Sequence, residues 1–148
     1  MRFSYRRYRI QTASDQIKIV YRPVVPILIH GPNASIELVA LVDTGADFTM
    51  LPWKLVDLLG VSLDHSRPAE VTGFGDPTVT AVPAEVELEV GRGRTTYRWR
   101  TEAYFADQEF LLLGYEGFLE FFIATFDGAE KTLELLPSDR FNFASAGK

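Results

Sequence analysis

Two acids, Asp43 and Asp47, stand in a setting that surface acids rarely occupy. The apolar run Leu38-Val39-Ala40-Leu41-Val42 leads straight into Asp43. The small residues Thr44-Gly45-Ala46 follow, then Asp47, then the cluster Phe48-Thr49-Met50-Leu51-Pro52. Burying a lone carboxylate is costly. Crowding one carboxylate against another splits their pKa values, one down and one up. The plain alternative is a turn acid that closes a strand, since Asp-Thr-Gly has good turn chemistry. Other reactive side chains are scarce. The chain has no cysteine, which excludes disulfides, thiolate nucleophiles and Cys-metal sites. His30 and His65 are the only histidines, and neither sits in a motif that would support a Ser-His-Asp triad or a metal site.

A second informative stretch lies about seventy residues on. In Phe110 to Phe122 an apolar strand, Leu111-Leu112-Leu113, runs into Gly114, and Gly117-Phe118-Leu119 opens a short helix behind it. Between the two, Glu70-Val71-Thr72-Gly73-Phe74-Gly75-Asp76-Pro77-Thr78-Val79-Thr80 reads as two β-prone arms around a hairpin tip at Gly73 to Asp76.

Taken together, Leu41-Val42-Asp43-Thr44-Gly45-Ala46-Asp47, Thr49 and Leu51 resemble the catalytic loop of retropepsin-like aspartic peptidases. More weakly, the resemblance extends from about Pro23 to Leu136. It implies an all-β fold, mainly β with one or two short helices: a retropepsin-like acid-protease half-barrel, closed as a two-fold dimer. It implies catalytic roles for Asp43, Thr44 and Gly45, and substrate-binding roles for Ala46 and Asp47. Gly73, Phe74 and Gly75 would form a flap over the cleft. Leu113 and Gly114 would support the loop from beneath, the glycine allowing an approach that a Cβ would hinder. One position departs from the pattern. Many family members carry an arginine after the second glycine, paired with the acid two residues beyond the catalytic glycine. This chain has Tyr115 there, so Asp47 needs a partner from elsewhere, such as the N-terminal arginines of its own or another subunit.

The chemistry that the resemblance implies needs two carboxylates sharing one proton: one takes a proton from the attacking water, the other donates to the scissile carbonyl. The chain has one Asp-Thr-Gly and no internal repeat. The dyad must therefore pair Asp43 with Asp43 of a second copy, the geometry a two-fold homodimer provides. The expected function is an aspartic endopeptidase acting on polypeptide, with no metal or organic cofactor. A binding or scaffolding module that keeps the fold without useful proteolysis is the alternative.

The elements that would position these residues follow from pattern. Alternation in Phe3 to Arg6 and Gln16 to Tyr21 predicts strands around a turn at Thr12 to Asp15. Val24 to Ile29 predicts a strand whose Pro23 and Pro26 mark it as edge or irregular. His30 to Asn33 turns the chain, and Ser35 to Val42 returns to Asp43. Pro52 to Leu59 predicts a helix with Pro52 in its first turn, Gly60 as its stop, and Leu55, Leu58 and Leu59 on one face. Ala81 to Val90 alternates apolar residues with Glu85, Glu87 and Glu89. Thr95 to Tyr104 sets Arg98 and Arg100 opposite those acids, after a turn at Gly91 to Arg94. A final hairpin turns at Phe126 to Ala129 and returns through Lys131 to Leu136.

At 148 residues the chain has the length of one domain: an N-terminal strand or arm region at 1–22, the retropepsin-like domain at 23–137 and a tail at 138–148. It is 47% hydrophobic, enough for a normal core, and its net charge is −5, which argues against nucleic acid as the general partner. The arginine-aromatic N-terminus keeps a weaker RNA-associated reading open. No apolar stretch is long enough for a membrane span, and no apolar segment follows Arg2, Arg6, Arg7 and Arg9 to make a secretory signal. The expected location is the cytoplasm.

Overall fold

The computed structural model describes residues 1–73 and 78–141. The order is β1 (Arg2–Ser4), β2 (Arg6–Gln11), β3 (Ile17–Arg22), β4 (Val24–His30), β5 (Ser35–Val42), β6 (Met50–Pro52), α1 (Leu55–Leu59), β7 (Ala69–Val71), β8 (Val79–Arg92), β9 (Thr95–Ala106), β10 (Leu112–Leu113), a 3-10 turn (Leu119–Phe121), β11 (Phe122–Asp127) and β12 (Thr132–Pro137). The architecture is mainly β, with only short helical pieces, as the alternating sequence predicts.

The central sheet runs β4-β5-β10-β6-β9-β8-β7, and β4 also pairs with β8, so the strands close into a ring within one chain. Period-two alternation fills that ring. Val25, Ile27 and Ile29 from β4, Val86, Leu88 and Val90 from β8, and Trp99 and Phe105 from β9 are all buried. Glu85, Glu87 and Glu89 face outward, and Arg98 pairs with Glu87 across the strands. That pairing holds the Glu87 carboxyl below its usual range.

Two expectations about proline need refinement. The β4–β8 pairing begins only at Ile27, so Pro26 lies on the half of β4 that has no neighbour on that side. The missing N–H costs no bond to β8 there. The other half, Ile27–His30, is interior. Pro52 is not in a helix. It ends β6 opposite Ala106 of β9, and the Trp53 N–H resumes bonding to the Ala106 carbonyl at 2.8 Å. A strand terminus tolerates proline as readily as a helix start does. The helix is confined to Leu55–Leu59 and stops at Gly60 (φ 71°), as expected. So short a helix has one buried stripe, Leu55 and Leu59, and Leu58 points to solvent at 57% exposure.

Two smaller sheets flank the ring. β1-β12-β11 forms a three-stranded sheet, and the Met1 ammonium donates to the Leu135 carbonyl at 2.7 Å. Phe3 and Tyr5 pack on the main core. β2 and β3 pair only with each other, as a separate hairpin. The first 22 residues thus serve two structures, a strand stitched to the body and a projecting hairpin. No helix is long and apolar enough to cross a membrane, among the described residues.

Candidate active site

Asp43 sits where β5 must leave the sheet, and the local turn chemistry that the sequence suggests is what holds it. The Gly45 N–H donates to Asp43 Oδ1 at 2.9 Å, and the Ala46 N–H donates to the Asp43 carbonyl at 3.2 Å. A short acid side chain folding back on the amide two residues ahead is the usual Asx arrangement. On the upstream side, the Val42 N–H donates to the Pro23 carbonyl at 2.9 Å and the Asp43 N–H to the Leu113 carbonyl at 3.1 Å. Asp43 and Ala46 are half-buried, while Thr44, Gly45 and Asp47 are exposed.

The second half of the site comes from far along the chain. β10 inserts between β5 and β6, parallel to the first (Leu113 beside Val42) and antiparallel to the second (Leu112 beside Met50). The next residues lace into the loop. The Tyr115 N–H donates to the Ala46 carbonyl at 2.9 Å, the Glu116 N–H to the Asp47 carbonyl at 2.8 Å, and the Thr49 N–H to the Glu116 carbonyl at 2.9 Å. Gly114 makes this possible: a Cβ there would lie 2.3 Å from the Phe48 carbonyl oxygen and 2.7 Å from that of Ala46. The Ala46 carbonyl is itself bonded to Tyr115, and the Phe48 carbonyl belongs to the peptide whose Thr49 N–H is bonded to Glu116, so neither can move aside cheaply.

The segment expected to form a flap is described only in its two arms. β7 pairs with the start of β8, Val71 opposite Val79, and the Thr72 and Thr78 hydroxyls are 3.0 Å apart. Gly73 closes the first arm and is exposed. Phe74 and Gly75 lie outside the described residues. The second arm is continuous with the long strand β8, although the sequence pattern divides them.

Tyr115 is 60% exposed, and Asp47 makes no ion pair among the described residues. Among the described residues, no arginine of the same chain supplies the partner that Tyr115 fails to be. No group of three His, Cys, Asp or Glu residues that could hold a metal ion occurs among the described residues.

Some contributors escape the sequence reading. Met50, Ala81 and Ala106 form a second, small core, packed by Phe48, Tyr104, Leu112 and the paired β7–β8 residues Val71 and Val79. Phe48 and Tyr104 stack at 4.4 Å between ring centroids. Burial, then the Glu102 and Glu116 charges, push the Tyr104 phenol up from its ordinary value. An aromatic placed between Asp47 and Thr49 was the available signal. Arg67 is another. Its guanidinium joins Asp64 (2.7 Å) to Glu102 of β9 (2.6 Å). Thr49 is fully buried, and its hydroxyl has no hydrogen-bond partner among the described residues.

No curated protein matches the chain. Among solved structures, the EIAV protease complexed with the inhibitor HBY-793 is similar at 25% identity, with a TM-score of 0.44 over 72% of this chain and 88% of that one. A family model described as aspartyl protease matches residues 25–116. That span holds the Asp43 loop, the β7–β8 arms and the Gly114 crossing, and it exceeds half of the chain. The chain belongs to the retropepsin-like aspartyl protease family.

Proposed function

We propose that this protein is an aspartic endopeptidase that works as a homodimer, with Asp43 of each copy contributing half of one site. The observation that carries the reading is the state of Asp43. It is half-buried at a strand end, its Oδ1 is engaged by the Gly45 N–H at 2.9 Å, and its other oxygen makes no hydrogen bond among the described residues. One copy of such a group has no second carboxylate to share a proton with. Two copies across a two-fold axis do.

In that arrangement the pair titrates as a unit, one carboxyl protonated and one ionised. The ionised member takes a proton from water as the water attacks the scissile carbonyl, and the protonated member donates to the carbonyl oxygen. The Gly45 N–H fixes which Asp43 oxygen turns toward the axis. Thr44, exposed beside it, bonds across the axis and holds the two loops in register. Gly45 lets substrate backbone approach. Ala46 and Asp47 line the ends of a cleft for extended polypeptide, and the flap at Gly73, Phe74 and Gly75 covers it and excludes water. The chemistry needs no cofactor.

Cleavage of a peptide library between about pH 4 and 7 tests the reading. Asp43→Asn is expected to lower cleavage by roughly a thousandfold or more while leaving the fold intact. Undiminished cleavage by that variant would remove Asp43 from the mechanism. Sedimentation of the wild-type chain is expected to show a dimer.

A further inference from the structure

The β2–β3 hairpin is unexplained by anything above. It pairs with no other strand, and both of its edges are open. A two-stranded hairpin is marginal by itself; this one is anchored at its base, where Tyr5 and Pro23 bond to the body and the Lys131 ammonium lies over the Tyr21 ring, 4.4 Å from its centroid. Ile17 at its tip is 62% exposed. The charge is lopsided. Residues 6–22 hold Arg6, Arg7, Arg9, Lys18 and Arg22 against Asp15 alone, a net +4, which leaves the rest of the chain at −9. None of these five cations has a carboxylate partner among the described residues. Arg22 instead lies over the Tyr8 ring.

The hairpin is also placed where it matters. β3 ends at Arg22, and the carbonyl of the next residue, Pro23, accepts from the Val42 N–H, one residue before Asp43. The hairpin is therefore rooted at the Asp43 loop. On the same loop, Asp47 and Glu116 are backbone-bonded neighbours (Glu116 N–H to the Asp47 carbonyl, 2.8 Å), both side chains are exposed, and neither has a cation. Bringing two copies together at Asp43 crowds four such carboxylates around one axis, and like charges there oppose assembly.

We propose that the β2–β3 hairpin is an arm that reaches across to the acidic loop face of a second copy of this chain, its arginines and Lys18 offsetting Asp47 and Glu116 there. This rests on the dimer reading above and adds to it the element that makes the two loops compatible. It also accounts for a basic arm on an acidic protein and for the absence of an ion-pair partner for Asp47 among the described residues.

The test is the dimer dissociation constant, measured by sedimentation at about 50 mM and about 500 mM salt. The wild-type dimer is expected to weaken about tenfold or more over that range. The arm variant Arg7→Glu/Arg9→Glu/Lys18→Glu is expected to weaken it by at least as much at low salt and to lose most of the salt dependence. A charge swap separates lost charge from a disturbed hairpin: adding Asp47→Arg/Glu116→Arg to the arm variant is expected to restore wild-type affinity. A wild-type dimer matched by the arm variant in affinity and salt dependence overturns the inference and leaves the proposed function standing. So does an arm variant that dimerises normally but no longer binds polyglutamate or a single-stranded oligonucleotide, which assigns the arm to another partner. Failure of the swap to restore affinity removes Asp47 and Glu116 as the arm's target. A wild-type chain that stays monomeric overturns the proposed function itself, and this inference with it.

Discussion

Gly114 carries a second hydrogen where other residues carry a side chain, and two segments of chain pass there at a distance that any side chain would block. Of the carbonyls that a Cβ would strike, that of Ala46 accepts from the Tyr115 N–H, and that of Phe48 shares its peptide with the Thr49 N–H bonded to Glu116. Gly114→Ala is expected to destabilise the fold by about 3 kcal/mol or more, read as a lower urea midpoint, with the loss centred on the loop. Thr49 runs the other way. Its buried hydroxyl has no partner among the described residues, and such a group carries a desolvation cost without a compensating bond. Thr49→Val keeps the shape, and thermal unfolding is expected to show it unchanged or more stable by about 1 kcal/mol. The two residues differ in legibility. Leu112-Leu113-Gly114 stands out in the sequence because an apolar strand rarely ends so abruptly on glycine. The state of the Thr49 hydroxyl depends on the position of Gly117, whose Cβ would lie 3.0 Å from it, and no local pattern encodes that.

Among elements, those stabilised by near neighbours were legible and those fixed by distant partners were not. Ser35–Val42 is a strand as expected, and the β8–β9 hairpin follows its apolar/acid alternation, with Gly91 and Arg92 of the expected turn paired in the ladder and only Gly93 and Arg94 left to make it. Pro52 reads as a helix start because its strand exists only through β9 and β10, more than fifty residues away. The polar connection before β7 is a comparable case: it reads as a plain loop, yet it is clamped. Hydrogen bonds from the Ser66 hydroxyl and the Arg67 guanidinium lower the Asp64 carboxyl from 3.8 to about 2. A folded-state pKa below the unfolded one means that this contribution is complete above about pH 4 and is lost as pH falls toward 2. The clamp therefore persists across the whole range in which cleavage is expected. Carboxyl NMR titration checks this: Asp64 should titrate near 2, and Ser66→Ala or Arg67→Gln should raise it toward 3.8.

The whole molecule brings together pieces that the sequence keeps apart. Asp43 is held from behind by Pro23 and Leu113, one upstream and one far downstream, so no single stretch of chain contains the site. The insertion of β10 between β5 and β6 has a consequence for synthesis. Leu112 must find Leu41 across seventy-one residues, a closure that pays its entropy late and slows folding. A nascent chain has β5 and the Asp43 turn long before β10 has been made. The loop therefore lacks its Leu113, Tyr115 and Glu116 anchors until most of the polypeptide has emerged, and the site is left unassembled while the chain is being translated. Chains ended at Ala106 should leave the amides of Asp43 to Thr49 unprotected in hydrogen exchange, whereas chains ended at Pro137 should protect them. Equal protection in both would show that the loop orders without β10.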